Sequence, residues 1–454
     1  MGGASSSPQP PDDIVLEILL RVPPEPIYLL RASLVCKKWR RLVRAPAFLW
    51  EFRARRRHAP PLVGFFYPDG TFLPAGGEPP DRVAAAHFSR PHGTRWRVFG
   101  SRHGRVLLSS AGTGFSSEPQ LLVWDPMTDD RSFLPPPRSP NPPAGFLFPG
   151  YARSPGPHPF VESPCIRAAL VCGCAGAHGH LDGEDEDCRS RPFRVVLLFT
   201  RSGSMYAIVY SSQTGAWGDV SPVNGRWSCI SHWEPNSVLV QNQELYWPEG
   251  HEEYYHNLEG QYLSSRRVEI PDHSSKLFGY NFETNWLQHV RRLDISHEDP
   301  YDCLQVFKDG YGELGLAAVR RSRLHLFEPV ALEDGDEDGD IAAWSEYGDL
   351  DLDALLPPPP TTPVGSPPRA PVRKRPVGFD EDGNTIFLET ENGVFALHIE
   401  SLKVDKVLDA GVLRPYTSVV ASTMIPYMSF FVADSFVGKQ YYRKKKKAPA
   451  AKSD

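Results

Sequence analysis

The sequence predicts an α+β multidomain chain: a small helical module at the N-terminus, then a mainly β domain built as an irregular β-propeller. Three observations carry that expectation. Residues 10–57 place apolar side chains at helical spacing between prolines. Beyond residue 60 the helical period nearly disappears, and short runs of β-forming residues are punctuated by turn residues. One pair of runs, Thr385–Thr390 and Val394–Ile399, flanks Asn392-Gly393, the strongest short hairpin signal in the chain. At 454 residues the length fits two or three domains, or one large all-β domain.

The helical module follows from local chemistry. Pro11 suits a first helical turn, where its missing N–H costs nothing, and Asp12 and Asp13 sit where the helix dipole favours acids. Ile14, Ile18 and Leu19 recur at i, i+4 and i+5, giving one apolar stripe from Ile14 to Leu20. Val22-Pro23-Pro24-Glu25-Pro26 ends that helix, because proline cannot donate to the ladder and restricts the residue before it. Ser33 is then an N-cap for a second helix, in which Val35, Trp39, Leu42 and Val43 form one continuous face. Lys37, Lys38, Arg40, Arg41 and Arg44 make the opposite, solvated face, Ala45-Pro46 stops the helix, and Arg53, Arg55, Arg56 and Arg57 solvate its far end. Amphipathic spacing alone also fits a helical hairpin packed on the rest of the chain. A module this small buries little apolar area by itself, so it tends to finish its core against a partner.

In the second region Arg105–Leu108 leads through a Gly/Ser loop to Leu121–Trp124 and the turn Asp125–Thr128. Phe193–Phe199 turns at Ser202-Gly203-Ser204 into Met205–Tyr210, followed by Trp217, and Leu314–Val319 turns into Leu324–Phe327. Many short strands with aromatics beside turns fit repeated four-stranded units arranged radially, which leave only short edges. A pair of β-sandwiches is the competing architecture. Proline-rich Leu134–Pro164 and Pro357–Pro371 and acidic Glu333–Asp340 have loop composition. The resulting partition is a disordered N-terminus 1–9, the helical module 10–57, the β domain 60–435 with loop insertions 165–191 and 329–375, and a basic disordered tail 436–454.

Composition excludes several classes. Net charge is −6, so no overall basic field argues for nucleic acid. Seven irregularly spaced cysteines, no Asn-x-Ser/Thr acceptor and no apolar leader in Met1–Pro10 predict reduced thiols, in the nucleus or cytoplasm. The longest uncharged run, Val419–Ala433, is too short for a bilayer and contains Pro426, so it reads as one or two buried strands. No nucleophile elbow, phosphate loop or His-Glu-x-x-His helix occurs; His251 and His256 are five apart and do not share a helix face. Cys172, Cys174, His178, His180 and Cys188 are zinc-compatible residue types, but their spacing is not that of paired ligands on tight turns. Glu333–Asp340 lacks the ligand order of a calcium loop. Arg443–Lys447 reads as a nuclear address, a nucleic-acid contact or a solubilising tail. No catalytic residue, metal or cofactor is expected.

The order of residue types in the module carries a resemblance. Pro-Asp-Asp-Ile, an Ile-Leu pair, Leu-Val-Cys-Lys-Lys-Trp-Arg and Phe-Leu-Trp resemble the F-box, the adaptor-binding end of substrate receptors in cullin–RING ubiquitin ligases. Pro10 departs from the leucine usual before the first proline. The stretches RHGRVLL, LLVWDPMTDDRSFLPPP, FRVVLLFT, SVLVQNQELYW, LGLAAVRRSRLHLFEP and VGFDEDGNTIFLETENGVFALHIESLKVDKV are similar to the propeller-like associated domain of a large plant F-box family, especially that of grasses. The resemblance implies an SKP adaptor bound by Pro11, Ile14, Ile18, Leu19, Leu30, Leu34, Val35, Cys36 and Trp39, and through it cullin–RING. It implies a protein target of unknown identity on the propeller, and no catalytic role for any residue. A non-degradative F-box scaffold and a propeller enzyme are the alternatives.

Overall fold

The computed structural model describes residues 11–55, 60–76, 88, 95–111, 120–137, 166–173, 191–201, 204–223, 237–247 without 242, 277–290, 304–330 without 321, 343–358, 374–410 without 382, and 424–430. Four helices open it: α1 (Asp12–Arg21), α2 (Pro26–Val35), α3 (Lys37–Leu42) and α4 (Pro46–Ala54). The proline run ends α1 as expected, but the expected second helix is divided. Pro26 and Pro46 each begin a helix, a position where proline forfeits no hydrogen bond. Ser33 is not an N-cap; it lies inside α2 and its hydroxyl donates to the Leu30 carbonyl at 2.6 Å. Cys36 caps α3 instead, its Sγ accepting the Trp39 N–H at 3.4 Å. That extended residue turns Val35 away from Trp39, so the expected continuous face is broken.

Six antiparallel sheets follow as the blades of a propeller. Blade 1 joins β1 (Leu62–Phe66) and β2 (Phe72–Pro74) to the last strand, β24 (Ile425–Met428). Blade 2 is β3 (Arg95–Arg102), β4 (Arg105–Ala111), β5 (Leu121–Asp125) and β6 (Asp130–Phe133). Blade 3 is β7 (Ile166–Cys172), β8 (Phe193–Arg201), β9 (Ser204–Ser211) and β10 (Ala216–Trp217), with β11 (Ser221–Pro222) also on β9. Blade 4 is β12 (Val238–Val240), β13 (Glu244–Trp247), β14 (Leu277–Asn281) and β15 (Trp286–Val290). Blade 5 is β16 (Leu304–Lys308), β17 (Leu314–Arg320), β18 (Arg323–Val330) and β19 (Ala343–Asp351), trailed by α5 (Leu352–Leu355). Blade 6 is β20 (Arg375–Asp380), β21 (Thr385–Thr390), β22 (Gly393–His398) and β23 (Val404–Asp409). The first strands meet around the axis: β3 lies against β7 and β24, β20 against β24 and β16, and β16 against β12.

Both faces of a blade are buried, which explains the apolar runs. In β8, Val195, Leu197 and Phe199 pack toward blade 2 while Val196 and Leu198 pack toward blade 4. Two spans read as insertions contain strands. Ile166–Cys172 is the inner strand of blade 3, an apolar run overshadowed by its Cys/His/Gly neighbours, and Ala343–Asp351 is an outer strand whose polar residues show no buried face. The rest of 165–191, most of 331–373, the first ten residues and the tail after 430 lie outside the described residues. At the Asn392-Gly393 hairpin, β22 starts at Gly393 itself. Its φ of 120° and a Leu408 carbonyl 2.0 Å from where a Cβ would stand make glycine obligatory.

Ring closure rests on two features. β1 pairs with β24 across the whole domain, Phe66 opposite Ile425. Pro426 fits because β24 is an edge strand toward the axis. At the axis, Arg102 donates from Nε to Glu381 Oε2 at 2.8 Å, from Nη2 to the Ser237 carbonyl at 3.1 Å, and also to Glu381 Oε1 and the Leu170 carbonyl. Glu381 Oε1 accepts the Leu239 N–H at 3.0 Å. One ion pair therefore links blades 2, 3, 4 and 6. Arg102 is set in place by the tight β3–β4 turn, where His103 and Gly104 both have positive φ. Burial alone would raise the Glu381 carboxyl, but the charge and hydrogen bonds of Arg102 outweigh it and hold it below the usual range.

Glu381→Gln strands a buried guanidinium and should lower unfolding free energy by about 3 kcal/mol at pH 7 in a denaturant titration, with Arg102→Met/Glu381→Met recovering most of it. A lowered carboxyl pKa contributes stability above the unfolded value of about 4.3 and loses it as pH falls through the folded one. The gap between wild type and Glu381→Gln should accordingly narrow below about pH 4.

Candidate functional site

The helical module divides its apolar residues into two sets. Val15, Leu19, Leu20, Leu29, Ala32, Val43, Phe48 and Phe52 are buried, in one cluster that continues into blades 1 and 2. The propeller part of that cluster centres on Phe66, whose ring lies 4.8 Å from Phe72, 5.7 Å from Tyr427 and 6.2 Å from Trp124. The core of the module is thus completed by the propeller of the same chain and not, as its small size led us to expect, by a partner.

The second set faces solvent. Ile14 and Ile18, one turn apart on α1, are 52% and 51% exposed, and Leu34 and Val35 at the α2–α3 junction are 61% and 62% exposed. An ion pair between Lys38 and Asp12 ties the start of α3 to the start of α1, so Ile14 stands on the element end beside the α2–α3 junction that carries Leu34 and Val35. The opposite end is clamped by Arg55, which donates to Glu17 Oε1 and Oε2 at 3.1 Å each and to Glu51 Oε1 at 2.7 Å. Arg55 holds the Glu17 carboxyl below its usual range. A row of large apolar side chains left in water, over a fixed core, is what an interaction surface presents.

Of the nine residues expected on that surface, Pro11, Ile14, Ile18, Leu34, Val35 and Cys36 are exposed. Leu19 is not: it is 1% exposed and points into the shared core. The expected stripe merged two faces, and Val15, Leu19 and Leu20 make the inward one. Leu30 and Trp39 are half-buried against the same core. Tyr28, which sequence reasoning passed over, and Trp50, quoted there only as part of the Phe-Leu-Trp pattern, are both large and exposed.

With that geometry in view, residues 11–51 match the family model described as the F-box domain. This segment is an F-box domain. A six-bladed propeller follows it. No curated protein matches the chain. Among solved structures, one titled as the Dos1 propeller is 9% identical with a TM-score of 0.28, covering 68% of this chain and 59% of that one. A structure from a study of two prolyl endopeptidases is 10% identical with a TM-score of 0.27, covering 70% and 42%. The chain spans less than two thirds of either, and likeness at this level carries no functional inference.

Cys172 is buried in β7, while Cys174, His178, His180, Cys188, His251 and His256 lie outside the described residues. His325, Glu346 and Asp349 come within 4.8 Å of one another on blade 5, but Arg323 Nε already donates to Asp349 at 2.7 Å. At the axis a cavity of about 40 Å³ is lined by Ser101, Arg102, His103, Gln305, Asp380 and Glu381, room for a few waters. Arg102 and Glu381 were not singled out from sequence, because the two partners stand 279 positions apart.

Ile18→Asp with Leu34→Asp, both at exposed positions, should leave unfolding free energy within about 0.5 kcal/mol of wild type. Leu19→Ala should cost about 2–5 kcal/mol. Denaturant titration of the three chains checks both.

Proposed function

We propose that the chain is the substrate-recognition subunit of an SKP–cullin–F-box ubiquitin ligase, acting in the nucleus or cytoplasm. The exposed Ile14, Ile18, Leu34 and Val35 dock the SKP adaptor, and the propeller holds the target. The observation that carries this reading is the outward apolar set on a segment that matches the F-box domain, fixed to a propeller. Fold alone does not name a function, so the target stays a protein of unstated identity. The grass-type F-box resemblance of the β domain goes with the same reading.

The work of such a subunit is positional. Holding a target beside a ubiquitin-conjugating enzyme raises the effective concentration of its lysines, and the other subunits supply the chemistry.

The test is co-purification of the full chain with an SKP adaptor and cullin. Wild type should retain both, and the Ile18→Asp/Leu34→Asp chain should lose both while its melting temperature holds. Retention by that variant would contradict the surface assignment. Trp39→Ala is a poorer probe, because Trp39 also packs on the shared core.

A further inference from the structure

Blades 2 to 6 are each built from consecutive strands, and blade 1 alone is assembled from both ends of the β domain. Its seam is short. β1 and β24 pair at Leu62–Met428, Gly64–Tyr427, Phe65–Pro426 and Phe66–Ile425, with a register shift between Leu62 and Gly64. The inner pairs β3–β4 and β7–β8 each run over seven positions. Pro426 also brings no N–H to the ladder. A short ladder that lacks a donor, with no turn joining its strands, is where local opening is expected.

Both strands of the seam send side chains into the core they share with the helical module. Val63 and Phe66 of β1 and Ile425 and Tyr427 of β24 belong to the cluster that holds Val15, Leu19 and Leu20 of α1. Just past β24, the Ser429 N–H donates to the Pro61 carbonyl at 3.1 Å, and Phe430 packs on the same cluster. Separating β24 from β1 therefore takes away part of what covers the inward face of α1. That helix has ten residues, a length at which an isolated helix is marginal in water. Its outward residues, Ile14 and Ile18, keep their helical spacing only while the inward ones stay docked.

We propose that adaptor docking and ring closure are one coupled equilibrium: an adaptor held on Ile14 and Ile18 keeps β24 paired with β1, and opening of that seam dismantles the adaptor's site. The proposal rests on the receptor reading, which supplies the adaptor. An adaptor that binds only the closed form suppresses the open one by mass action. Coupling is reciprocal, so any ligand that needs the closed ring strengthens the adaptor's hold and is strengthened by it.

Hydrogen exchange of the full chain, alone and with an SKP adaptor, tests it. With free adaptor at about ten times its Kd, an opening that breaks the docking face is suppressed about elevenfold. Amides of β1 and β24 should slow by that factor, and further as adaptor is raised. The amides of Glu283 and Thr284, on an outer turn of blade 4, should keep their rates. The Ile18→Asp/Leu34→Asp chain should show no change at any of these positions. Adaptor retention is read in the same samples. Retained adaptor with unchanged exchange at the seam would overturn this proposal alone, and so would equal slowing at the blade 4 turn or in the double variant. A wild-type chain that retains no adaptor would overturn the receptor reading and this proposal with it.

Discussion

The pairing of β1 with β24 is the constraint on which the rest of the structure depends. It brings together residues at opposite ends of the β domain, Phe66 and Ile425, and it converts an open row of blades into a ring. Closing so long a loop costs entropy, though the cost grows only logarithmically with length. Buried aromatic packing around Phe66 and the axial Arg102–Glu381 network offset it. The same sheet carries a second duty. Helix α4 ends at Ala54 and β1 begins at Leu62, and Phe48 and Phe52 belong to the cluster that contains Phe66 and Tyr427. The F-box domain is therefore built onto the closure.

That construction bears on function through geometry. An apolar surface on a flexible tether would sample many positions relative to the propeller, whereas one fixed to the closing sheet holds a single orientation to it. The division within α1 shows how it is done. Leu19 and Ile18 are neighbours in sequence, yet one anchors the domain to the propeller and the other faces solvent. Removing the F-box segment to test its role would also strip Phe66 of part of its cover, so surface substitutions separate docking from folding more cleanly than truncation does.

Much of this was legible in the residues. Strands such as Phe193–Phe199 and Leu314–Val319 announced themselves because both blade faces are buried, which yields apolar runs rather than alternation. The F-box order of residue types was likewise visible. What escaped has physical reasons. The repeat lies in backbone conformation: the turns between third and fourth strands open at Asp125, Ser211, Asn281 and His398, and four residues on each has a positive φ, at Asp129, Gly215, Asn285 and Leu402. Four different residue types satisfy each position, so the sequence shows no period. β19 escaped because an exposed outer strand has no apolar face to betray it. Leu19 was placed on the wrong surface because an apolar stripe cannot say which partner covers it until the propeller is present.

The central claim is that the F-box domain and the propeller fold on one core. Scanning calorimetry of the full chain beside its Leu19→Ala and Phe52→Ala variants tests it most directly. The account predicts one cooperative transition, in which either F-box substitution lowers the melting temperature of the propeller as a whole, by the equivalent of about 2–5 kcal/mol. Two separate transitions, with only the smaller one moved by the substitutions, would contradict it.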